Sequence, residues 1–274
     1  WYCRNTSLVY SWNNLIEIGR DDLMEFKDYE YKERKKKVEE ILDNTDAVNE
    51  VKKFPKDEDF TYTNGYKAWA SSIFVDLRDS TTLFTENNEV TTAKLIRGFT
   101  SEIIEILKKD TDEEELKEIG IRGDCVYAVY STPYQKDIYD IANRAFHINT
   151  YMKMLNKLLN DRELPSIRAG IGLGTSKTLA VKAGRKFSGI NNLVWIGESV
   201  AIAAKLSDLG NKNDIGPIVM SSLFYSNYIK IHKKKNSKSE EFWKERSDTN
   251  YGKYWYGNVV KIEFDKWISE GMKA

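Results

Sequence analysis

Two periodicities of apolar residues alternate along the chain between about residue 61 and residue 227. Four short runs rich in β-branched and aromatic residues have the length of strands, at residues 70–77, 116–121, 125–130 and 167–173. Between them, apolar residues recur at helical spacing in two long segments, and a third helical pattern begins after Gly197. The pattern predicts a domain in which amphipathic helices pack on a sheet.

The order of the predicted elements is strand, helix, hairpin, helix, strand, strand and helix. We expect an α+β fold of the ferredoxin-like, split βαβ type, in residues 61–274, with helices covering one face of a mostly antiparallel sheet. Farther on, Lys230 to Ser239 is basic and predicts a solvated loop, and Tyr254 to Phe264 predicts further strand. Residues 1–60 are polar and predict a peripheral extension with one helix, from Tyr31 to Leu42.

Charge and composition narrow the possible partners. Lys and Arg number 42, as do Asp and Glu, so no global field draws the protein onto nucleic acid or an anionic membrane. Cys3 and Cys125 fit neither a disulfide framework nor a thiolate metal site, which is typical of a reducing compartment. The sequence contains no long apolar run and no signal-peptide pattern. We therefore expect a cytoplasmic protein without nucleic-acid or membrane partners.

Two aspartates lie where a carboxylate needs a partner. Asp76 ends an apolar strand, and a buried carboxylate is costly unless it is paired or binds a cation. Asp124 belongs to a hairpin turn that a split βαβ sheet places beside the end of that strand. Two converging carboxylates can hold magnesium or manganese on a polyphosphate, and the turn Asp79-Ser80-Thr81 offers backbone N–H groups to phosphate oxygens. On spacing alone, ordinary helix-capping and turn roles remain the alternative.

Four segments between residues 70 and 206 extend this pattern. Residues 74–81 are FVDLRDST, Gly123-Asp124 precedes an apolar strand, residues 167–174 form a glycine-rich strand, and residues 195–206 are WIGESVAIAAKL. In this order they resemble the class III nucleotidyl cyclases, the superfamily of adenylate and guanylate cyclases. That family carries its first metal aspartate, its second metal aspartate, its central strand and its transition-state helix in such motifs. Four motifs in the family's order are far more specific than any one alone.

The resemblance implies an enzyme that converts a nucleoside triphosphate into a 3′,5′-cyclic monophosphate and pyrophosphate. Asp76 and Asp124 would hold two divalent ions, manganese by preference or magnesium, with the backbone carbonyl of Leu77 assisting. Lys205 takes the place of the family's transition-state Arg. It would reach across from the second subunit of a head-to-tail homodimer with composite sites, so a lone chain is expected to be inactive.

Departures from the family pattern bear on the substrate. Ala201 replaces an Asn that orients ribose and α-phosphate, and Lys205 keeps the charge of an Arg but loses its planar fork. Gly120 and Val194 occupy the two positions that recognise a purine, so the purine code is missing. These differences and residues 256–260 resemble the bacterial pyrimidine cyclases of the Pycsar antiphage system. Those relatives make cyclic UMP or cyclic CMP, which activates a partner effector.

Three further side chains are candidates for substrate contact, each with an ordinary alternative. Tyr66 and Trp69 either narrow the pocket against purines or are surface or core aromatics. Arg78 either contacts the triphosphate or an interface, or is an exposed side chain at a strand end. Three other functions stay open: a purine cyclase with unusual base contacts, a catalytically inactive nucleotide-binding module, and a non-cyclase domain whose motif matches arise by chance.

Overall fold

The computed structural model of the chain describes residues 29–185 and 190–273. The chain forms two compact units, which divide between Asn44 and Thr45. The first contains helix α1 (Tyr31–Asp43), close to the predicted bounds, and none of its residues is buried. Across the described residues, no helix is both long and apolar enough to span a bilayer. Cys3 lies outside the described residues.

The second unit contains the sheet and the remaining helices. Its strands are β1 (Val48–Glu50), β2 (Gly65–Leu77), β3 (Leu116–Arg122), β4 (Cys125–Ser131), β5 (Ala169–Arg185), β6 (Ile190–Ile196), β7 (Ile218–Ser221), β8 (Trp243–Asp248) and β9 (Gly252–Gly257). Its helices are α2 (Ser80–Glu86), α3 (Glu89–Lys108), α4 (Gln135–Asn160), α5 (Glu198–Leu209), α6 (Ser222–Lys235) and α7 (Ile262–Ser269).

One mixed sheet joins all of these strands. Its order is β3-β4-β2-β5-β7-β9-β8, with β1 pairing on β2 and β6 on β5. The central pairs β3–β4, β4–β2 and β2–β5 are antiparallel, whereas β5–β7 and β1–β2 are parallel. The chain order β2-α3-β3-β4-α4-β5 is the split βαβ arrangement. The predicted ferredoxin-like α+β fold is confirmed.

Helices cover both faces of the sheet, so the prediction of a single covered face is wrong. On the first face, Ile73, Val75, Ile171 and Leu173 pack with α3 and α4 into the main hydrophobic core. We call this the α4 face. Helix α5 packs on the other face of β5, which we call the α5 face. Phe74 and Asp76 of β2 project to the α5 face, because side chains alternate along a strand.

Glycines on the α5 face of β5 allow this second layer to form. A Cβ at Gly172 would lie 2.0 Å from the carbonyl oxygen of Ala203, and a Cβ at Gly170 would lie 2.1 Å from that of Ser207. Both oxygens belong to the backbone of α5, which cannot yield as a flexible side chain would. The helix backbone therefore contacts the sheet backbone directly. The glycines that alternate along β5 form the surface on which α5 packs.

The second unit begins at Thr45. The sequence pattern placed the start of the domain later, at residue 61. Strand β1 adds in parallel to β2, and Phe54 and Phe60 are buried at 3% and 2% exposure. These two rings pack with alanines of β2 and β5 on the α5 face. Polar neighbours conceal them in the hydrophobic pattern, which is why this segment looked peripheral.

Two C-terminal predictions are wrong in part. The basic segment from Lys230 is not a loop, since α6 continues to Lys235. Phe224 and Tyr228, one helical turn apart, are buried against the core, while the lysines are exposed as expected. The strand predicted for residues 254–264 ends at Gly257, and α7 begins at Ile262.

Replacing Gly172 by Ala is expected to lower the free energy of unfolding by about 3 kcal/mol, because the new Cβ overlaps the backbone of α5. Gly98→Ala is the matched control. It adds the same methyl group inside α3, where the nearest atom is a Leu155 side-chain carbon at 3.2 Å and not the backbone of another element, so it should cost much less than Gly172→Ala. Urea unfolding measures both. A Gly172→Ala protein as stable as the wild type would refute the close packing of α5.

Candidate active site

The β3–β4 hairpin places Asp124 beside the end of β2, where Asp76 lies. Asp76 pairs with Cys125 in the antiparallel register, and the backbone N–H of Leu77 donates to the carbonyl oxygen of Asp124 at 3.3 Å. Gly123 has a φ of 61° in the turn, a conformation that suits glycine. The predicted proximity of the two aspartates is confirmed.

Arg78 is buried and binds Asp76 from inside the protein. Its guanidinium donates to the Asp76 carboxylate and to the Asp76 backbone carbonyl. It also donates to the Asp208 backbone carbonyl at 2.8 Å and to the Asp208 carboxylate at 3.4 Å. With a side chain only 2% exposed, Arg78 is not an exposed strand-end residue, and that alternative is wrong. Its contact with a triphosphate or an interface stays a prediction.

The Asp76 carboxylate is poorly solvated and has charges of both signs around it. Burial raises its pKa to about 6; the Arg78 guanidinium opposes this shift, and the Asp124 carboxylate adds to it. Burial therefore outweighs the ion pair. A divalent cation beside the two aspartates would relieve both the desolvation of Asp76 and its repulsion from Asp124.

The available donors fit a hard divalent cation. Two carboxylates and the backbone carbonyl of Leu77 are oxygen ligands, the type that magnesium and manganese bind. In residues 29–185 and 190–273, no three His, Cys, Asp or Glu side chains converge in a way that could hold a metal ion. Magnesium commonly takes one or two carboxylates and completes its coordination with water and substrate phosphates. The pair therefore suits an ion that binds together with a nucleotide.

The turn Asp79-Ser80-Thr81 follows β2 and begins α2. Asp79 has a left-handed backbone, with φ 56° and ψ 28°, and makes no side-chain cap bond to the helix. Its carboxylate accepts a hydrogen bond from Arg168 at 2.8 Å, between two largely exposed side chains. Ser80 and Thr81 form the first turn of α2, next to the metal candidates in sequence. Phosphate binding by this turn stays a prediction.

Tyr66 and Trp69 lie within β2 and not ahead of it, and they project from opposite faces. The Tyr66 ring contacts Phe60 edge-on, with centroids 5.0 Å apart, on the α5 face. Trp69 is 37% exposed on the α4 face. Tyr66 is roughly 33 Å along the strand from Asp76 at the usual strand rise. Within one chain, the two aromatics do not line a common pocket beside the aspartates.

Gly120 and Val194, the two positions to which the family resemblance assigns purine recognition, are also separated. Gly120 pairs with Tyr127 on the α5 face, and a Cβ at Gly120 would lie 2.8 Å from the Tyr127 ring. Val194 pairs with Val181 and is 41% exposed on the α4 face. A single chain therefore does not bring Gly120 and Val194 together, and the Tyr127 ring fills the space at Gly120.

Helix α5 carries Ala201 and Lys205 one turn apart. Ala201 is exposed and Lys205 is partly buried. Asp208, three residues after Lys205, accepts the hydrogen bonds from Arg78. Arg78 therefore connects α5, the helix that carries Lys205, to the carboxylate of Asp76. The transition-state role of Lys205 itself stays a prediction.

Sequence reasoning missed three side chains close to these elements. Tyr127 donates its hydroxyl to Glu118 Oε1 at 2.5 Å, and its ring stacks on Phe74 with centroids 5.2 Å apart. Period-two alternation in β3 and β4 was the signal that could have placed both on the α5 face. Asp208 gave no such signal, because its contact with Arg78 joins residues 130 apart in sequence.

Solved structures with a similar fold are nucleotide cyclases and a cyclase-like protein. A guanylyl cyclase matches with a TM-score of 0.56 at 14% identity, over 72% of this chain and 95% of its own. An adenylyl cyclase from P. aeruginosa gives 0.56 at 16% identity, over 72% and 97%. A class III adenylyl cyclase-like ATP-binding protein from Pseudomonas aeruginosa gives 0.52 at 16% identity, over 73% and 43%. The fold is that of a class III cyclase domain.

Sequence relatives narrow the class. A uridylate cyclase from Treponema porcinum is 43% identical over 244 residues, which cover 89% of this chain and 82% of that protein. A uridylate cyclase from Gulbenkiania mobilis is 28% identical over 255 residues, 89% of this chain and 97% of that protein. No family model matches the sequence. The chain belongs to the uridylate cyclase family within the class III nucleotidyl cyclases, and it is a nucleotide cyclase.

The raised pKa of Asp76 predicts a pH-dependent effect of removing its charge. An Asp with a folded pKa above its unfolded value destabilises the fold above that pKa, and this cost disappears as the pH falls from about 6 towards 4. In chelator, Asp76→Asn is therefore expected to melt above the wild type at about pH 7.5, and to lose this advantage near pH 4.5. Thermal melts at both pH values measure the difference.

At about pH 7.5, manganese is expected to make the wild type melt above Asp76→Asn, the reverse of their order in chelator. A bound ion stabilises only the protein that keeps the full ligand set. It should raise the melting temperature of the wild type and leave Asp76→Asn unchanged. Asp46→Asn, an exposed carboxylate of the same unit, serves as the control and should follow the wild type throughout. A melting difference that is independent of both pH and manganese would contradict this account of Asp76.

Proposed function

We propose that the chain converts UTP into 3′,5′-cyclic UMP and pyrophosphate. The observation that carries the proposal is the proximity of Asp76 and Asp124 at the end of β2, where Asp76 pairs with Cys125 and the Leu77 N–H donates to the Asp124 carbonyl, in a chain 43% identical to a uridylate cyclase. The lack of a purine-recognising side chain at Gly120 supports a pyrimidine substrate. CTP is the alternative within the same class of reaction.

The reaction forms a bond between the ribose 3′-oxygen and the α-phosphorus, breaks the bond to the departing pyrophosphate, and releases the 3′-hydroxyl proton. Asp76 and Asp124 would hold two divalent ions, manganese or magnesium, which would supply activation of the 3′-hydroxyl and neutralisation of the pyrophosphate. Arg78 fixes one side of the Asp76 carboxylate, so its orientation is set before substrate binds. The turn from Asp79 to Thr81 binds phosphate oxygens through backbone N–H groups.

The active form is a head-to-tail homodimer with composite sites. Val194 and Ile196 are 41% and 55% exposed on the α4 face of β6, and Trp69, which is 37% exposed, lies on the same face of β2. Exposed apolar side chains on one face of a sheet favour a protein interface. In the dimer, Lys205 of each subunit neutralises charge at the α-phosphate bound by the other.

The biological role follows from the resemblance to the Pycsar cyclases. The product is a diffusible second messenger in bacterial antiviral defence and activates a separate effector protein. The enzyme works in the cytoplasm, and its partners are its substrate and its second subunit, without nucleic acid or membrane.

A second candidate function is nucleotide binding without turnover. Ala201 lacks the amide expected to orient ribose, and Lys205 lacks the fork of an Arg. The fold similarity to a cyclase-like ATP-binding protein adds to this candidate. The two closely placed carboxylates argue for catalysis, because a binding module has little use for a pair that costs desolvation and repulsion.

Incubation of the purified protein with manganese and each of ATP, GTP, CTP and UTP is expected to give cyclic UMP as the main product, identified by mass spectrometry. The double variant Asp76→Asn, Asp124→Asn should lose at least about 100-fold in rate while keeping its fold, since the charges that stabilise the transition state are gone. Asp46→Asn should remain active. Cyclic AMP or cyclic GMP from the wild type would contradict the pyrimidine assignment, and no product from a dimeric sample would favour the binding module.

Mixing two inactive variants tests the composite site. Asp76→Asn and Lys205→Ala should each be inactive alone, and equal amounts with free subunit exchange should restore about a quarter of wild-type activity. Half of the dimers are then mixed, and each mixed dimer has one intact site. A mixture that stays inactive while its subunits exchange would show that Asp76 and Lys205 act within one chain.

A further inference from the structure

Helix α1 exposes a stripe of apolar side chains. Tyr31, Val38 and Leu42 are 67%, 52% and 72% exposed, and their spacing of seven and four residues places them along one side of the helix. The helix is 13 residues long and none of them is buried. A helix of this length is marginal in water unless its apolar face packs against something. The stripe therefore calls for a packing partner.

The charges of α1 are divided along its length. Residues 34–37 are all basic, whereas Glu39, Glu40 and Asp43 occupy the second half, whose last turn has no basic residue. The helix macrodipole favours acidic residues near the first turn and basic residues near the last, so this distribution is unfavourable for a lone helix. An antiparallel helix of the same sequence reverses the effect, because its acidic end lies beside the basic end of the first.

The charges that border the stripe distinguish the two possible directions of such a pair. Lys35 and Glu39 lie on the same side of it, one turn apart, with Nζ and Oε1 2.9 Å from each other. Two antiparallel helices that pack through one stripe bring the same side of each together, so Lys35 faces Glu39 of the other copy. In a parallel pair, opposite sides meet, and Lys35 then faces Arg34 of the other copy. The charges therefore favour the antiparallel pair.

We propose that α1 is a self-association surface, on which the α1 helices of two copies of the chain pack antiparallel through Tyr31, Val38 and Leu42. Such a pair is two-fold symmetric, as the interface of a homodimer must be. Three apolar side chains from each helix make a small contact. The pairing therefore rests on the proposed homodimer, which holds two copies at a high effective concentration, and it is independent of the reaction catalysed.

An anionic membrane surface is a partner that residues 34–37 alone would suit. A helix that lies on such a surface carries basic residues along its polar face. Glu39, Glu40 and Asp43 would be repelled by the lipid headgroups, beside the same apolar stripe that has to enter them. The second half of α1 thus argues for a second copy of the helix.

The test is cross-linking of the full chain through single cysteines on α1, in a Cys3→Ser background. Burial raises the pKa of the Cys125 thiol to about 12, so it stays unreactive. Tyr31→Cys and Leu42→Cys proteins are mixed, left to exchange subunits and treated with a short bismaleimide. The two positions are about 16 Å apart along one helix, so only an antiparallel pair brings them within reach of each other. We expect cross-linked dimer from the mixture and none from either variant alone.

Each other result would overturn the pairing. Cross-linking of Leu42→Cys by itself would show a parallel pair. No cross-link in a sample that sedimentation shows to be dimeric would refute the α1 contact and leave the proposed homodimer intact. A sample that is monomeric at all concentrations would refute both.

The contribution of the stripe to the dimer is measured with Val38→Ser. We expect the dimer dissociation constant, from a sedimentation dilution series, to rise about 10-fold, because one apolar contact is lost from each helix. Val90→Ser, which makes the same change at a 65% exposed position of α3, is the matched control and should leave the constant unchanged. Equal constants for Val38→Ser and the wild type would contradict the packing of α1 against a second copy.

Discussion

The close approach of α5 to β5 determines the rest of the site. Glycines at 170 and 172 let the helix backbone rest on the strand, with no room for a single Cβ between them. This contact fixes the position of Asp208 at the end of α5, and Asp208 in turn holds Arg78. The orientation of the Asp76 carboxylate therefore depends on a packing contact made by residues without side chains.

The environment at the end of β2 disfavours the charged form of the Asp76 carboxyl group. Arg78 is fully enclosed and binds Asp76, yet burial still raises the pKa of this carboxyl to about 6, with Asp124 adding to the shift. Arg78 thus offsets only part of the desolvation of Asp76. Perturbed pKa values of this kind cluster at functional sites.

Asp76, Glu118 and Tyr127 lie on one face of the sheet but on different strands. The aspartates belong to β2 and the hairpin turn, whereas Glu118 and Tyr127 extend along β3 and β4 towards a cavity of about 420 Å³. At Gly120, the ring of Tyr127 on β4 occupies the space where a side chain on β3 would begin.

The sequence by itself determined parts of β2 and β5, the hairpin β3–β4, the helices α3, α4 and α5, their α+β order and the proximity of Asp76 to Asp124, because each depends on local periodicity and on a tight turn. It also indicated the cyclase class through four ordered motifs. Only the tertiary structure decided that α5 covers the second face, that Arg78 is buried against Asp208, and that Val194 and Gly120 project from opposite faces. Each of these depends on contacts between residues distant in sequence, whose burial no local pattern encodes.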